Sequence, residues 1–389
     1  MILIKNVDIH TMTEDIIPNG MVLISDGKII EVGKDLNVPN NGDVEIIDGK
    51  GGFLMPGMID AHCHVGMFEN GIGFEGSDGN EATDPVTPEL RAIDGINPMD
   101  KCFEEALMGG VTTVSTGPGS ANVIGGQFAI MKTYGKTIDD MVINSCSAMK
   151  VAFGENPKRV YNNRKSIPTT RMGTAALLRE NLMKAKIYAE KQRKSIEGDE
   201  KAPEFNMKMD ALSKVIKNEI PLKAHAHRAD DILTAIRIAK EFNVEISLEH
   251  CTEGHLIADD LKKEDLKGVI VGPTLTDRSK FELQNLTFKT PVILNNTGIK
   301  VALMTDHPVI PLQYLPICAA LAAREGMDEE EALRSITINP AKFLDIDNMV
   351  GSIEKNKDAD IVIYNGHPFD LRNKINFVMV NGRIVKNEL

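Results

Sequence analysis

The chain has 389 residues, enough for one large domain with a smaller companion. Charged residues make up 26% and apolar residues 42%, a balance that excludes an intrinsically disordered chain. A formal net charge of −12 argues against a nucleic-acid partner and against docking on an anionic membrane. Cys63, Cys102, Cys146, Cys251 and Cys318 are scattered, with no Cys-x-x-Cys pair. A disulfide framework is therefore not expected, and a reducing cytoplasm is. Lys5 and Asp8 fall where a signal peptide would need apolar residues. No apolar run approaches membrane-spanning length.

In chain order, the first fifty residues read as β. Residues 21–25 and 28–32 flank Asp26-Gly27, a two-residue hairpin signal. The middle then alternates. A helix is expected from Asn97-Pro98, with Asn97 as N-cap, to Gly109-Gly110, followed by a β-branched strand at 111–115. Residues 145–153 form an apolar strand, and 171–194 a long helix. Strands at 220–225, 244–250, 269–271 and 300–306 alternate with helices at 231–242 and 313–325. Asp328, with Glu331 three residues on, opens a further helix. The tail returns to β, with strands at 360–364, 377–380 and 383–385, the last two flanking Asn381-Gly382. Strand–helix alternation implies parallel strands with helical crossovers. The expected fold is therefore α/β: a (β/α)8 TIM-like barrel over 55–349, with a small β-sandwich domain formed from 1–54 and 350–389. A doubly wound sheet is the alternative, but no Gly-x-Gly-x-x-Gly supports it. Two stretches break the alternation. Residues 66–98 are rich in Gly and carboxylates and should overhang whatever lies at His64. The charged stretch 191–219 reads as a solvated helical face.

The apolar run at 54–65 breaks at Pro56-Gly57 and ends in His62-x-His64. With a side-chain period of two, both imidazoles share one strand face and can hold one metal ion together. Two polar residues where a strand runs out is the plain alternative. Other candidates fall at other strand ends, where a (β/α)8 barrel builds its site. His225 ends the strand at 220–225, His250 ends the one at 244–250, and Asp306 ends the one at 300–306. Lys150 is a charged residue inside an apolar strand, and His227 lies two residues beyond His225.

These residues resemble the amidohydrolase superfamily of metal-dependent hydrolases, most closely its imidazolonepropionase and prolidase-like branch. The resemblance rests on Pro56-Gly57-Met58-Ile59-Asp60-Ala61-His62-Cys63-His64, Lys223-Ala224-His225-Ala226-His227, Leu248-Glu249-His250 and Met304-Thr305-Asp306-His307-Pro308. Further matches at Gly110-Val111-Thr112-Thr113-Val114, Thr337-Ile338-Asn339-Pro340-Ala341 and Asp358-Ala359-Asp360 extend it along the chain. It implies metal ligands at His62, His64, His225, His250 and Asp306. It also implies a bridging carboxylated lysine in binuclear members, for which Lys150 is the positional match; Glu155 could supply a carboxylate instead. One or two divalent ions are expected, zinc first, with iron, manganese and nickel accepting the same donors. Such an ion acidifies a bound water, and Asp306 then serves as catalytic general acid–base. His227, Glu155, Arg159 and Tyr161 are candidate contacts to a small-molecule substrate; Arg159 could equally pair with the acidic stretch.

The implied activity is hydrolysis of a carbon–nitrogen bond in an amide, cyclic amide or dipeptide-like substrate, not in ordinary protein chains. A mononuclear deaminase of the same fold is the enzymatic alternative. A non-catalytic scaffold is the alternative from another class, and the retained histidines and Asp306 argue against it. A homo-oligomer is left open.

Overall fold

The computed structural model describes residues 1–36, 44–198 and 201–389. Four strands open the chain: β1 (Ile2–Ile9), β2 (Ile17–Ser25), β3 (Lys28–Gly33) and β4 (Glu45–Pro56). β1 sits between β2, antiparallel, and β4, parallel. Asp26 and Gly27 join β2 to β3 with φ of 51° and 78°, the left-handed pair that a tight hairpin turn needs.

The chain leaves this sheet at Gly57. A Cβ there would stand 2.2 Å from Thr112 Oγ1, so the crossing between sheets accepts only glycine. The second sheet holds eight strands in sequence order. They are β5 (Met58–Cys63), β6 (Val111–Thr116), β7 (Ile124–Lys132), β8 (Val142–Ala152), β9 (Leu222–Ala226), β10 (Ile246–His250), β11 (Gly268–Val271) and β12 (Ala302–Leu303). β5, β6, β7, β9, β10 and β11 are buried throughout, as is the second half of β8, as expected for strands covered on both faces. The result is a mixed α/β fold with a nearly closed barrel sheet.

The sheet departs from the expected all-parallel alternation at β7, which runs antiparallel to both β6 and β8. Short connections on either side of β7 replace helical crossovers, which antiparallel neighbours do not require. Residues 117–127 contain the start of this strand. Gly125-Gly126 hides it by interrupting the apolar pattern. Gly126 has a φ of 130°, and a Cβ on it would meet Leu90 O at 2.6 Å.

β12 and β5 end the strand order and are joined by side chains. The buried Asp60 carboxylate accepts from Thr305 N at 2.9 Å and Thr305 Oγ1 at 2.6 Å, and also from His62 N at 3.0 Å. Just beyond, His64 N donates to His307 O at 2.9 Å. These bonds draw the residues flanking His62 and Asp306 together across the seam.

The chain returns to the first sheet through β13 (Ile361–Tyr364), β14 (Ile375–Val380) and β15 (Arg383–Asn387), with β13 antiparallel to β4. Both termini therefore share one seven-stranded sheet. Alternation sorts its side chains. Ile361, Ile363, Phe377 and Met379 pack with Ile4, Val22 and Leu54, whereas Val362, Val378 and Val380 join the larger core. Buried Lys132 of β7 reaches Asp360 at 2.7 Å and Asp358 at 3.0 Å, an ionic link between the sheets.

Two helical expectations shift. The first helix begins at Lys101, capped by Asp100 Oδ1 accepting from Cys102 N, because Asn97 is used in a local turn with Met99 N. The charged stretch 191–219 is not only a solvated face. Helix Met207–Ile216 buries Ala211, Leu212 and Val215 along one stripe; positions 199 and 200 lie outside the described residues. Among the described residues, no helix is long and apolar enough to cross a membrane.

Candidate active site

Sheet register sets the site. β9 carries Lys223 and His225 on one face, with His227 just past its end. In-register pairing places Lys150 beside Lys223, and Glu249 beside His225. Simple alternation would send His250 to the opposite face from Glu249. His250 instead takes a φ of 71° and Cys251 one of 47°. This left-handed turn lets both side chains reach the interior: Glu249 lies 2.9 Å from His62 Nδ1, and the His225 and His250 rings are 4.2 Å apart. Asp306 is also left-handed, at 54°. Such conformations cost on the order of 1 kcal/mol and concentrate at functional sites.

The donors fall into two sets, each with ligand atoms within 4.8 Å of one another and each able to hold a metal ion. In the first, Asp306 Oδ1 lies 3.3 Å from His64 Nε2 and 3.7 Å from His62 Nε2. The second is His225, His227 and His250. Tautomers follow from the partners. His64 Nδ1 lies 2.7 Å from Gly117 O, and His250 Nδ1 lies 2.9 Å from Gly272 O. A carbonyl only accepts, so both Nδ1 atoms carry the proton and both Nε2 lone pairs are free. Burial first, then neighbouring charge, pushes His62, His225, His227 and His250 well below the usual histidine range. They are therefore neutral at pH 7, the form that binds metal.

Both ring nitrogens of His225, and His227 Nε2, are buried without hydrogen-bond partners. Left bare, each costs about 1–3 kcal/mol. Orphaned lone pairs beside a carboxylate are what a divalent ion satisfies, so the residues fit one.

A layer of charge lies beneath. Lys150 Nζ is 3.0 Å from His62 Nε2; burial pushes its amine down to about 7, against the raising pull of Glu249 and Asp306. Glu249 Oε2 lies at ion-pair distance from Lys223 Nζ, 3.1 Å, though not aligned as a hydrogen bond. Burial likewise pushes Asp60 up to about 7, opposed by its bonds from Thr305 and His62.

Above the donors is a cavity of about 290 Å³ lined by His64, His225, His227, His250 and Asp306. Phe68 and Asn80 of the stretch 66–98 overhang it, and Ser120, Asn156 and Lys280 complete its walls. A larger cavity of about 970 Å³ lies between helix Arg171–Glu197 and the segment up to Lys217, but none of the strand-end residues lines it.

Three expected substrate contacts fall elsewhere. Glu155, Arg159 and Tyr161 are not among the residues lining the 290 Å³ cavity. All three belong to helix Glu155–Asn163, which presents Asn156 to the cavity and leaves Arg159 exposed. Tyr161 is fully buried and its hydroxyl donates to Asn122 Oδ1 at 2.7 Å. Tyr161→Phe should therefore cost about 1–3 kcal/mol in urea denaturation and leave kcat/KM within about twofold. A drop beyond about tenfold would return Tyr161 to the substrate.

Sequence reasoning missed Glu282 and Lys280. Glu282 is buried, 3.7 Å from His227 Nε2 and 4.0 Å from His225 Nε2, and pairs with Lys280 at 3.0 Å. Both sit in the connection after β11, which carries no periodic pattern.

Histidines and a carboxylate gathered at the ends of a nearly closed barrel sheet make a site that could hold a divalent ion. Residues 53–385 match the Amidohydrolase family, and the chain belongs to it. It is an enzyme acting on carbon–nitrogen bonds. The chain is 45% identical to an amidohydrolase of known structure from Thermotoga maritima MSB8, with a TM-score of 0.96 and 100% of both chains covered. It is 30% identical over 376 residues to "Amidohydrolase tasK" of Hapsidospora irregularis, covering 90% of this chain but only 38% of that longer protein. It is 26% identical to an imidazolonepropionase of Idiomarina loihiensis, covering 93% of this chain and 90% of that one. A prolidase structure at 16% identity and a TM-score of 0.59, with 99% of both chains covered, shares the fold.

Proposed function

We propose that the chain is a metal-dependent hydrolase that opens an amide, cyclic amide or dipeptide-like carbon–nitrogen bond in a small molecule, with Asp306 as general acid–base. In this reading, 55–349 is a (β/α)8 barrel with one reversed strand, and 1–54 with 350–389 is a composite β-sandwich. The observation that carries the reading is the pair of inward-facing donor sets on the floor of a 290 Å³ cavity. That volume suits a small substrate and not a folded polypeptide. His62, His64, His225, His250 and Asp306 would hold one or two divalent ions, zinc first. Lys150 would supply the carboxylated lysine that binuclear members carry: an unprotonated amine is the form that takes up carbon dioxide, and burial favours it.

A divalent ion there supplies an acidified water and a polarised carbonyl. Asp306, within 3.7 Å of both His62 and His64, takes the proton released as the carbonyl is attacked and returns it to the leaving nitrogen. His64 Nδ1–H and His250 Nδ1–H, held by Gly117 O and Gly272 O, keep both rings turned inward. Phe68 gives the cavity an apolar wall beside His64. The absence of Cys-x-x-Cys pairs supports a cytoplasmic setting.

Elemental analysis with a screen of N-acyl amino acids, dipeptides and cyclic amides tests this. Hydrolysis should disappear on chelation and return with metal. Activity that survives complete metal removal would overturn the reading. A single ion unaffected by Lys150→Ala favours the deaminase alternative.

A further inference from the structure

We propose that His227 and Glu282 complete, with His225 and His250, a second metal position separate from the one formed by His62, His64 and Asp306. The inference rests on the metal-dependent reading above and adds two ligands to it.

The three rings form one tight cluster, with centroids 4.8 Å apart for His225 and His227, 4.2 Å for His225 and His250, and 4.4 Å for His227 and His250. His227 is tethered on its far side, Nδ1 lying 2.8 Å from Thr252 Oγ1, which leaves Nε2 turned to the cluster. That Nε2 and both nitrogens of His225 have no hydrogen-bond partner, although all three histidines are buried. Three imidazoles packed this way make no hydrogen bond to one another and leave ring nitrogens bare.

Glu282 approaches the cluster from the connection after β11. Its side chain is 1% exposed, with Oε1 3.7 Å from His227 Nε2 and 4.0 Å from His225 Nε2. Those separations are too long for hydrogen bonds. They lie near the spacing of two ligands on one ion, about 3.3 Å for a tetrahedron with bonds of about 2.0–2.1 Å. The first set shows the same spacing, 3.3 and 3.7 Å from Asp306 to its two histidines. Each set thus pairs histidines with one carboxylate oxygen.

Glu282 is also held in place for this task. Glu155 N donates to Oε2 at 2.8 Å, and Lys280 Nζ sits 3.0 Å from Oε1. Gly154 makes room: its φ is 80°, and a Cβ there would stand 2.6 Å from Glu282 Oε2. Lys280 offsets the carboxylate charge and is itself anchored by Asn156 Oδ1 at 3.2 Å. A carboxylate buried beside neutral histidines and held at both oxygens has a fixed position before any ion arrives.

The test uses the full chain, stripped with chelator and reloaded with Co(II), read by elemental analysis and by visible ligand-field absorption. Wild type should hold about two ions per chain. His227→Gln and Glu282→Gln, checked for folding by circular dichroism, should each weaken one ion by more than about tenfold and leave the other's spectrum unchanged. His64→Gln should do the converse. Both His227→Gln and Glu282→Gln retaining two ions with the wild-type spectrum would overturn the second position, and a change in KM alone would assign His227 to substrate contact. A wild type that holds one ion, lost in His64→Gln, would overturn the second position and leave the metal-dependent reading intact. A wild type that binds no metal would overturn both.

Discussion

Asp306→Asn should lower kcat by about 10²–10⁴-fold, the usual contribution of a positioned general acid–base, while the protein stays folded. The backbone makes this substitution clean. Asp306 has a φ of 54°, a conformation that asparagine accepts as readily as aspartate. The amide keeps the shape and one acceptor oxygen but cannot take up a proton. Its side chain is 14% exposed, so no deeply buried charge is stranded. The measurements are kcat on any substrate found active and the thermal midpoint of both proteins. Hydrolysis unchanged in a variant that still binds metal would sink the role assigned to Asp306.

Glu249→Gln should destabilise the chain by about 3–5 kcal/mol. Glu249 is fully buried, with Oε2 3.1 Å from Lys223 Nζ and 2.9 Å from His62 Nδ1, and Oε1 accepting from Ser247 Oγ at 2.6 Å. Removing its charge leaves the Lys223 ammonium, 2% exposed, without the carboxylate beside it. Metal affinity should also fall about 10–100-fold, because the Glu249 carboxylate stands 2.9 Å from His62 Nδ1 and its charge raises the basicity of that ring. Lys223→Met in the Glu249→Gln background should restore part of the stability by removing the stranded charge, but not the metal affinity. Urea denaturation and metal titration of the three variants separate these effects. A single variant within about 1 kcal/mol of wild type would mean that Lys223 finds another partner.

Much of the site was visible along the chain because its signals are local. Period two puts His62 and His64 on one strand face; Asp26-Gly27 and Asn381-Gly382 mark hairpins; Asp328 accepts from Glu331 N as its spacing suggests. The convergence of His62, His64, His225, His250 and Asp306 followed from finding each at a strand end. Other features left no local trace. The reversal of β7 depends on connection length and on which neighbour is available for pairing, and Gly125-Gly126 masks the strand itself. The exclusion of Tyr161 from the cavity depends on which helix face turns inward, and Asn122, thirty-nine residues away, takes its hydroxyl.

By itself, then, the sequence determined which residue types could do metal chemistry and that they sit at strand ends, because strand periodicity and turn chemistry act over a few neighbours. The tertiary structure alone decided the rest. It brought Glu282 from the connection after β11 to His225 and His227, and it placed Lys150, Lys223 and Glu249 in one buried layer. It also let His250 escape the alternation of its strand through a left-handed turn. These are contacts between segments far apart in the chain, and their energies depend on burial and on partners that no short stretch of sequence specifies.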